Sequence, residues 1–385
     1  MKKILLSTLA IVTLVSANEE IDTLKAQMSA MQNKLNTLEE ESSKIQTKKP
    51  KGITVKSKVP VIKFSGTHYL GFVHRESGAN EKSNKFETRR NYFQAKAYFM
   101  ENPKSYVRIT MDTYDERDRD NTQNPGQTSV REKYAYLYLD DVLPNTGVEL
   151  GQTHRPWIDY EEHNAWKYRS ISKVLVEARY GANLTNSADR GIDVKTKTPY
   201  FSSELGVFNG EGYHNAEDGR GLSGEWRLTG HLLGTGKKKA KHTLEYANVS
   251  FFGQQNKFSH KHGNQDLNWM GLHAVYNQPD FLVAAQYINV SKGEMVSTGG
   301  AANRKGNGFS LNGEYRISPK INLIGRYDYF DLDESLGDRK RLLSGVSFEY
   351  NHNVEFIVNY LKDGGSSLTE NQNGDALMLT AQIEW

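Results

Sequence analysis

From residue 61 to the C-terminus, apolar and polar residues alternate with period two in short stretches separated by polar connections. The last stretch shows the pattern plainly. Leu377, Leu379, Ala381, Ile383 and Trp385 fall on one face, and Met378, Thr380, Gln382 and Glu384 fall on the other. Such alternation is a strand signal, because successive side chains of a strand point to opposite faces. Strands of ~10 residues, apolar outward and polar inward with aromatics at the interface, are how a closed barrel crosses a bilayer. Candidate strands lie at 61–74, 86–100, 106–114, 131–140, 148–154, 189–196, 203–209 and 225–234, then at 242–252, 269–277, 281–290, 308–316, 321–330, 341–350, 354–363 and 375–385. Their connections alternate in length. Asn102-Pro103-Lys104, Gln278-Pro279-Asp280, Ser318-Pro319-Lys320 and Asn351-His352-Asn353 are short, whereas 116–130, 211–224, 253–268 and 291–307 are long and polar. The expectation is an all-β fold, a transmembrane antiparallel up-and-down β-barrel of about 16 strands, with short periplasmic turns and longer outer loops.

Before the barrel the periodicity changes twice. Met1-Lys2-Lys3, an apolar run from Ile4 to Val15 and Val15-Ser16-Ala17 have the grammar of a secretory signal peptide over 1–17. Residues 18–46 then carry Ile21, Leu24, Met28, Met31, Leu35, Leu38, Ser42 and Ile45 at alternating spacings of three and four. That heptad pattern predicts a short periplasmic coiled-coil helix, the alternative being a solitary surface helix. Residues 47–60 read as a basic, polar linker with Pro50 and Gly52. The barrel occupies 61–385.

Composition agrees and excludes some classes. With a mean hydropathy of −0.68 and 25% charged residues, the chain is not a helical membrane protein. A barrel escapes that criterion because every second residue faces away from lipid. There is no Cys, so no disulfide scaffold and no thiolate chemistry. The formal charge of +3, or +1 without Lys2 and Lys3, argues against a nucleic-acid partner.

One connection, 155–188, breaks the rhythm by its length. Counting its apolar run 171–180 as a spanning strand would make the total odd, so the expectation is a loop folded into the lumen. There Arg155, Arg169, Lys173 and Arg179 would meet Glu161, Glu162 and Glu177 near the narrowest point. A loop capping the outer surface is the alternative. On the walls, alternation turns Arg90, Lys96, Arg108, Asp112 and Arg326 inward. Arg90, Lys96 and Arg108 form either a basic stripe or a set of structural ion pairs. Trp385, the terminal aromatic, resembles the sorting signal read by the barrel-assembly machinery of the outer membrane.

The heptads ahead of a barrel, Gly151-Gln-Thr-His-Arg-Pro156, Arg190-Gly-Ile-Asp193 and Phe208-Asn-Gly210 resemble the phosphate-selective porin O and P superfamily. The resemblance covers most of the mature chain through short motifs. It implies a sixteen-stranded homotrimeric channel of the outer membrane, narrowed by inward-folded loops. Members that select phosphate use an arginine ladder and a lysine cluster; a dense set of lumen lysines is not legible in this sequence.

The leading expectation is a porin passing inorganic ions and small hydrophilic solutes, with lipid and lipopolysaccharide around it and no cofactor or metal. A barrel lipid hydrolase with Ser, His and Asn or Asp on its wall is the enzymatic alternative, although no such constellation is legible. An adhesin or anchor tethered by the coiled coil is a third. His260-Lys261-His262 and Asp115-Glu-Arg-Asp-Arg-Asp120 read as solvated loop tracts, and Lys237-Lys238-Lys239 as a solvated turn tip.

Overall fold

The computed structural model describes residues 26–27, 29–34, 36, 61–79, 81–115, 128–214, 221–257, 266–297, 300–303, 305–333 and 336–385. The signal peptide, the linker 47–60, residues 116–120 and His260-Lys261-His262 lie outside them. Within the heptad segment the described residues are helical and exposed. No helix among the described residues is long and apolar enough to cross a membrane.

Residues 61–385 form a closed antiparallel barrel. Its strands are β1 (Val61–Ser77), β2 (Lys82–Tyr98), β3 (Tyr106–Asp115), β4 (Thr128–Leu143), β5 (Thr146–His154), β6 (Ala188–Lys197), β7 (Phe201–Phe208), β8 (Leu222–His231) and β9 (Tyr246–Lys257). They continue with β10 (Leu267–Gln278), β11 (Phe281–Ser297), β12 (Gly300–Asn303), β13 (Gly306–Ser318), β14 (Ile321–Leu332), β15 (Gly337–Asn351), β16 (Val354–Gly364) and β17 (Gly374–Glu384). β12 pairs only with the end of β11, so sixteen strands make the wall and β1–β17 closes it. The even, up-and-down count expected from the alternation is the one observed.

The faces follow the pattern too. Leu205, Val249, Leu272, Leu311, Leu323 and Leu379 are exposed on the outside, while their neighbours Glu204, Ser250, His273, Ser310 and Thr380 are buried inside. On the lipid side of such a wall a charge at the midplane would cost ~2–4 kcal/mol, which is why the polar positions are the inward ones.

The register shifts at several points along the wall, and two of these β-bulges deliver a cation to the interior. Between β1 and β2 the register passes from Tyr69↔Arg90 to Leu70↔Thr88, leaving Arg89 as the extra residue. Strict alternation would put Arg89 outside. Instead it reaches inward to Glu87 (2.8 Å), Thr380 Oγ1 (2.8 Å) and the Ser170 carbonyl (3.0 Å). Between β3 and β4 the register passes from Thr110↔Tyr134 to Met111↔Glu132, leaving Lys133 extra and buried. The Gln152 side-chain amide satisfies the freed carbonyls, its Nε2 donating to those of Glu132 (2.9 Å) and Lys133 (3.1 Å). Re-aiming a side chain is what a bulge does.

The seam is closed by the last residue. Trp385 and Gly66 exchange backbone hydrogen bonds (2.9 and 3.0 Å). The indole lies so close over Gly66 that a Cβ there would meet it at 2.5 Å. Glycine is therefore required by close approach at this position.

Several boundaries differ from the expectation: β2 begins at Lys82 rather than at residue 86, β11 runs to Ser297 rather than to 290, and β15 begins at Gly337 rather than at 341. β9 begins at Tyr246 rather than at residue 242, and residues 232–245 form turns that fold against the lumen wall. Ala240 and Leu244 pack on Ala165, Tyr246, Val275 and Leu282, and Asn277 Nδ2 donates to the Leu244 carbonyl (2.6 Å). This apolar anchoring, hidden in a lysine-rich stretch, wins over the alternation that suggested a strand.

Candidate functional site: the lumen and its constriction

The segment between β5 and β6 enters the barrel. Arg155 precedes helix α1 (Pro156–Asn164), with Pro156 in the first turn, where a missing N–H costs nothing. Trp157, Ile158, Trp166, Tyr168, Ile171, Leu175 and Leu184 are buried against inward residues of the later strands, among them Phe252, Ile288, Phe330, Leu343 and Ile357. Trp157 stacks on Phe252 at 3.5 Å between centroids. Polar contacts reach across the interior as well. Tyr246 Oη donates to the Asn164 carbonyl (2.7 Å), Asn312 Nδ2 to that of Ala165 (3.2 Å) and Arg339 to that of Gly181 (3.0 Å), while Arg341 donates to Ser172 Oγ (3.1 Å). Burying an apolar face of this size against one wall fills that side of the lumen.

The three short motifs meet at the root of this segment. Gly151 adopts φ +128°, a conformation that favours glycine. Thr153 Oγ1 donates to Glu149, and His154 lies beside Arg108. Arg155, almost fully buried, is clamped between Glu225 and Asp189 (2.7 Å). Asp189 in turn accepts from the Gly210 N–H (2.8 Å), and the Asn209 N–H donates to the Arg190 carbonyl (2.9 Å).

The other side of the lumen stays open as a cavity of about 1890 Å³ that reaches the short-turn end. Eleven lysines and arginines line it against nine aspartates and glutamates, so pairing rather than number decides its field. At depth the carboxylates are answered. Glu149 and Glu204 share Lys195 (3.1 and 2.6 Å), Glu204 also accepts from Arg227 (2.9 Å), and Glu162 and Glu177 hold Arg169. Asp112 accepts from both Arg90 (2.5 Å) and Arg131 (3.0 Å).

Arg108 and Lys133 are different. Neither has a carboxylate within 4.0 Å among the described residues. Arg108 lies over the Tyr134 ring (4.6 Å) and donates to Tyr136 Oη (3.3 Å) and His154 Nε2 (2.9 Å). Because Nε2 accepts there, His154 carries its proton on Nδ1, which faces Glu149 at 3.4 Å. Lys133 lies over Tyr92 (4.4 Å) and donates to its hydroxyl (3.3 Å). An aromatic face holds a cation by about 0.5–2 kcal/mol without cancelling its charge. Lys96, over the Tyr106 ring at 4.6 Å and in register with Arg108, is held the same way.

The remaining sequence candidates are placed as follows. Lys173 pairs with Glu177 (3.0 Å); Arg179 is exposed beside Tyr180; Arg326 is buried with Asp328 (2.8 Å) under the Trp166 ring, away from the cavity lining. Lys237, Lys239 and Lys241 line the cavity at its short-turn end, with Lys237 Nζ donating to Asn145 Oδ1 across the mouth (2.6 Å). Together with Lys167, Lys195 and Lys197 they make a lysine-rich lining that the sequence alone did not reveal, because they come from three separate segments. Arg89 and Lys133 were missed for a different reason, being visible only through the bulges.

Ser202 Oγ, His231 and Asn248 form a hydrogen-bonded chain (2.8 and 2.9 Å) with the geometry of a hydrolase relay. All three are buried, Ser202 accepts from Arg227 (3.0 Å), and none lines the cavity. The chain serves to pin β7, β8 and β9 together.

No family model and no curated protein matches this chain. Solved structures do. OmpF of Salmonella typhi in complex with daunomycin superposes with a TM-score of 0.61 at 12% identity, over 86% of this chain and 100% of that one. An anion-selective porin from Comamonas acidovorans gives 0.60 at 11%, over 84% and 99%. The trimer form of in-vitro folded OmpT, an outer membrane protein of Vibrio cholerae, gives 0.57 at 12%, over 85% and 100%. The barrel has the bacterial porin fold.

Two cavity-lining groups on the inward segment make the lumen charge depend on pH. Asp159 (3.5 Å) holds the His163 imidazolium protonated to a higher pH than usual, and burial pushes the Lys167 ammonium down to about 8. Raising pH from 6 to 9 therefore removes positive charge at both. Reversal potentials in a KCl gradient are expected to move toward the potassium side over that range, and Lys167→Met with His163→Gln should flatten the change.

Proposed function

We propose that this chain is an outer-membrane porin that passes small hydrophilic solutes and prefers anions. The observation that carries the reading is the pair Arg108 and Lys133, held on tyrosine faces deep in the open half of the lumen. A positive charge left uncancelled in a narrow, poorly hydrated passage concentrates anions there. Phosphate belongs among the solutes to be tested, because the lysine-rich lining and the convergence of the three motifs on Arg155 favour a place in the phosphate-selective porin O and P superfamily. Channel recordings of purified protein in planar bilayers test the reading. Stable ohmic steps with a reversal potential on the chloride side support it; absence of conductance, or a potassium-side potential, overturns it. The burial of Ser202, His231 and Asn248 weighs against the hydrolase alternative.

The same reading covers export by the signal peptide, a periplasmic coiled coil over 18–46 and a homotrimeric particle. It also gives Trp385 a role in biogenesis. Once β1 and β17 pair, its ring is held by Gly66, His68 and Phe93; until then it lies on an unpaired strand edge. Trp385→Ala is expected to lower the folded protein in outer-membrane fractions several-fold, read by heat-modifiable mobility, while refolding in detergent continues. Unchanged cellular levels would contradict that role.

A further inference from the structure

A lattice of tyrosines and cations covers the lumen side of β1 to β4. The register sets Tyr106, Arg108 and Thr110 of β3 opposite Tyr138, Tyr136 and Tyr134 of β4. The rings touch one another. Tyr69 meets Tyr92 nearly edge-on at 6.0 Å between centroids, Tyr134 meets Tyr136 in the same manner at 6.4 Å, and Tyr106 lies 5.2 Å from Tyr138. Arg108 and Lys133 share the Tyr134 ring, at 4.6 and 5.1 Å from its centroid. Closing a barrel wall does not require this aromatic surface, since Ser202, Glu204, Thr229 and Ser250 fill inward positions of β7, β8 and β9.

Some donors of this lattice are left open. The hydroxyls of Tyr69 and Tyr134 and Nη2 of Arg108 make no hydrogen bond among the described residues, and all three residues line the cavity. Lys133 uses one of its three N–H donors on Tyr92. On the inward segment His163 and Arg169 are already answered by Asp159 (3.5 Å) and Glu162, so the open donors are those of the tyrosine wall. Few donors on a large aromatic surface suit one kind of anion and not another. Phosphate binds water through all its oxygens, and this wall has too few N–H and O–H groups to replace that shell. A carboxylate attached to a ring needs donors at one end only. Its ring gains from burial and from edge-to-face contact with tyrosines.

We propose that the tyrosine wall of β1 to β4 is a binding site for aromatic monocarboxylates entering the lumen. The open donors of Arg108, Lys133 and Tyr134 hold the carboxylate, and the surface of Tyr69 and Tyr92 holds the ring. The inference rests on the reading of the chain as an anion-passing porin and narrows its solutes to planar organic acids. A solute held on the wall leaves less room for other ions, so its binding shows as an interruption of the chloride current.

Benzoate is the probe, and cyclohexanecarboxylate is the control of the same charge and similar size without a π-system. On single channels of the whole chain carrying chloride, benzoate should half-block the current at a concentration about two- to tenfold below that of cyclohexanecarboxylate. It should also block at a lower concentration than phosphate. Tyr69→Leu removes a ring that supports no cation among the described residues, and should bring benzoate to the level of cyclohexanecarboxylate. Tyr134→Phe keeps the ring but loses the open hydroxyl, and should weaken both carboxylates alike. Tyr287→Leu on the outer wall should change neither. Equal block by the two carboxylates in the wild type, or tighter block by phosphate, overturns the proposal. Saturation-transfer NMR of benzoate with the detergent-solubilised protein reads the same site without a current. Binding that Tyr69→Leu weakens sustains the proposal even if the protein conducts nothing or prefers potassium, results that overturn the porin reading alone. Absence of benzoate binding to the wild type overturns the proposal whatever the conductance.

Discussion

Arg108→Glu combined with Lys133→Glu is expected to reverse the charge preference of the channel. Both cations line the open cavity, and both are held by tyrosine rings and hydroxyls rather than by carboxylates. A unit charge ~6 Å from a passing ion acts on it with about 2–3 kcal/mol at an effective dielectric of ~20. Each reversal changes that energy by twice as much, before mobile ions screen part of it. Since about 1.4 kcal/mol is a factor of ten, the permeability ratio of chloride to potassium should fall by more than about tenfold and pass through unity. The readout is reversal potential across a KCl gradient. Lys195→Met combined with Glu149→Gln, which removes a cation and its carboxylate together, should leave the sign unchanged. A wild-type-like potential in the Arg108 and Lys133 variant would remove the basis of the proposed selectivity.

The strands were legible because a barrel wall imposes period two on the residues themselves. Leu377 to Ile383 and the walls around Arg227 and Arg326 alternate as lipid and water demand, and the structure keeps those faces. What the alternation cannot encode is where it is interrupted. Arg89 and Lys133 come inward through single extra residues, and nothing in the composition of 86–100 or 131–140 distinguishes a bulged strand from a regular one. Residues 232–245 misled for the opposite reason. Lys237-Lys238-Lys239 has the look of a solvated tip, yet Ala240 and Leu244 tie the segment to the wall and bring Lys237, Lys239 and Lys241 to the cavity.

The charge pattern of 155–188 was legible, but its cancellations were not. Arg169 and Lys173 are separated from Glu177 by eight and four residues, and only the fold of the segment places all three together. The cations without carboxylate partners lie instead on the facing wall, where tyrosines on β2 and β4 support them. Tyrosine counts alone carry no such information, since outward tyrosines such as Tyr287 and Tyr315 serve the lipid side.

The second large effect is expected at Arg155. Its guanidinium spans Glu225 on β8 and Asp189 on β6 at the point where the chain leaves β5 for the lumen. All three groups are buried, so removing the cation leaves two carboxylates without an opposite charge. Breaking a buried pair in this way costs about 3–5 kcal/mol. Arg155→Ala should therefore lower the stability of the folded barrel in detergent by that order, read from the urea dependence of heat-modifiable mobility. It should also loosen the root of the inward segment, so that single-channel current becomes noisier. Arg155→Lys keeps the charge but loses the two-pronged geometry that reaches both acids at once, and should recover only part of the loss. Arg155→Met with Glu225→Gln and Asp189→Asn removes the stranded charges and should recover more stability than Arg155→Ala, while the current stays noisy because the clamp is gone. If Arg155→Ala is as stable and as quiet as the wild type, the hydrophobic packing of Trp157, Ile158 and Trp166 is sufficient to hold the segment, and Arg155 is not its anchor.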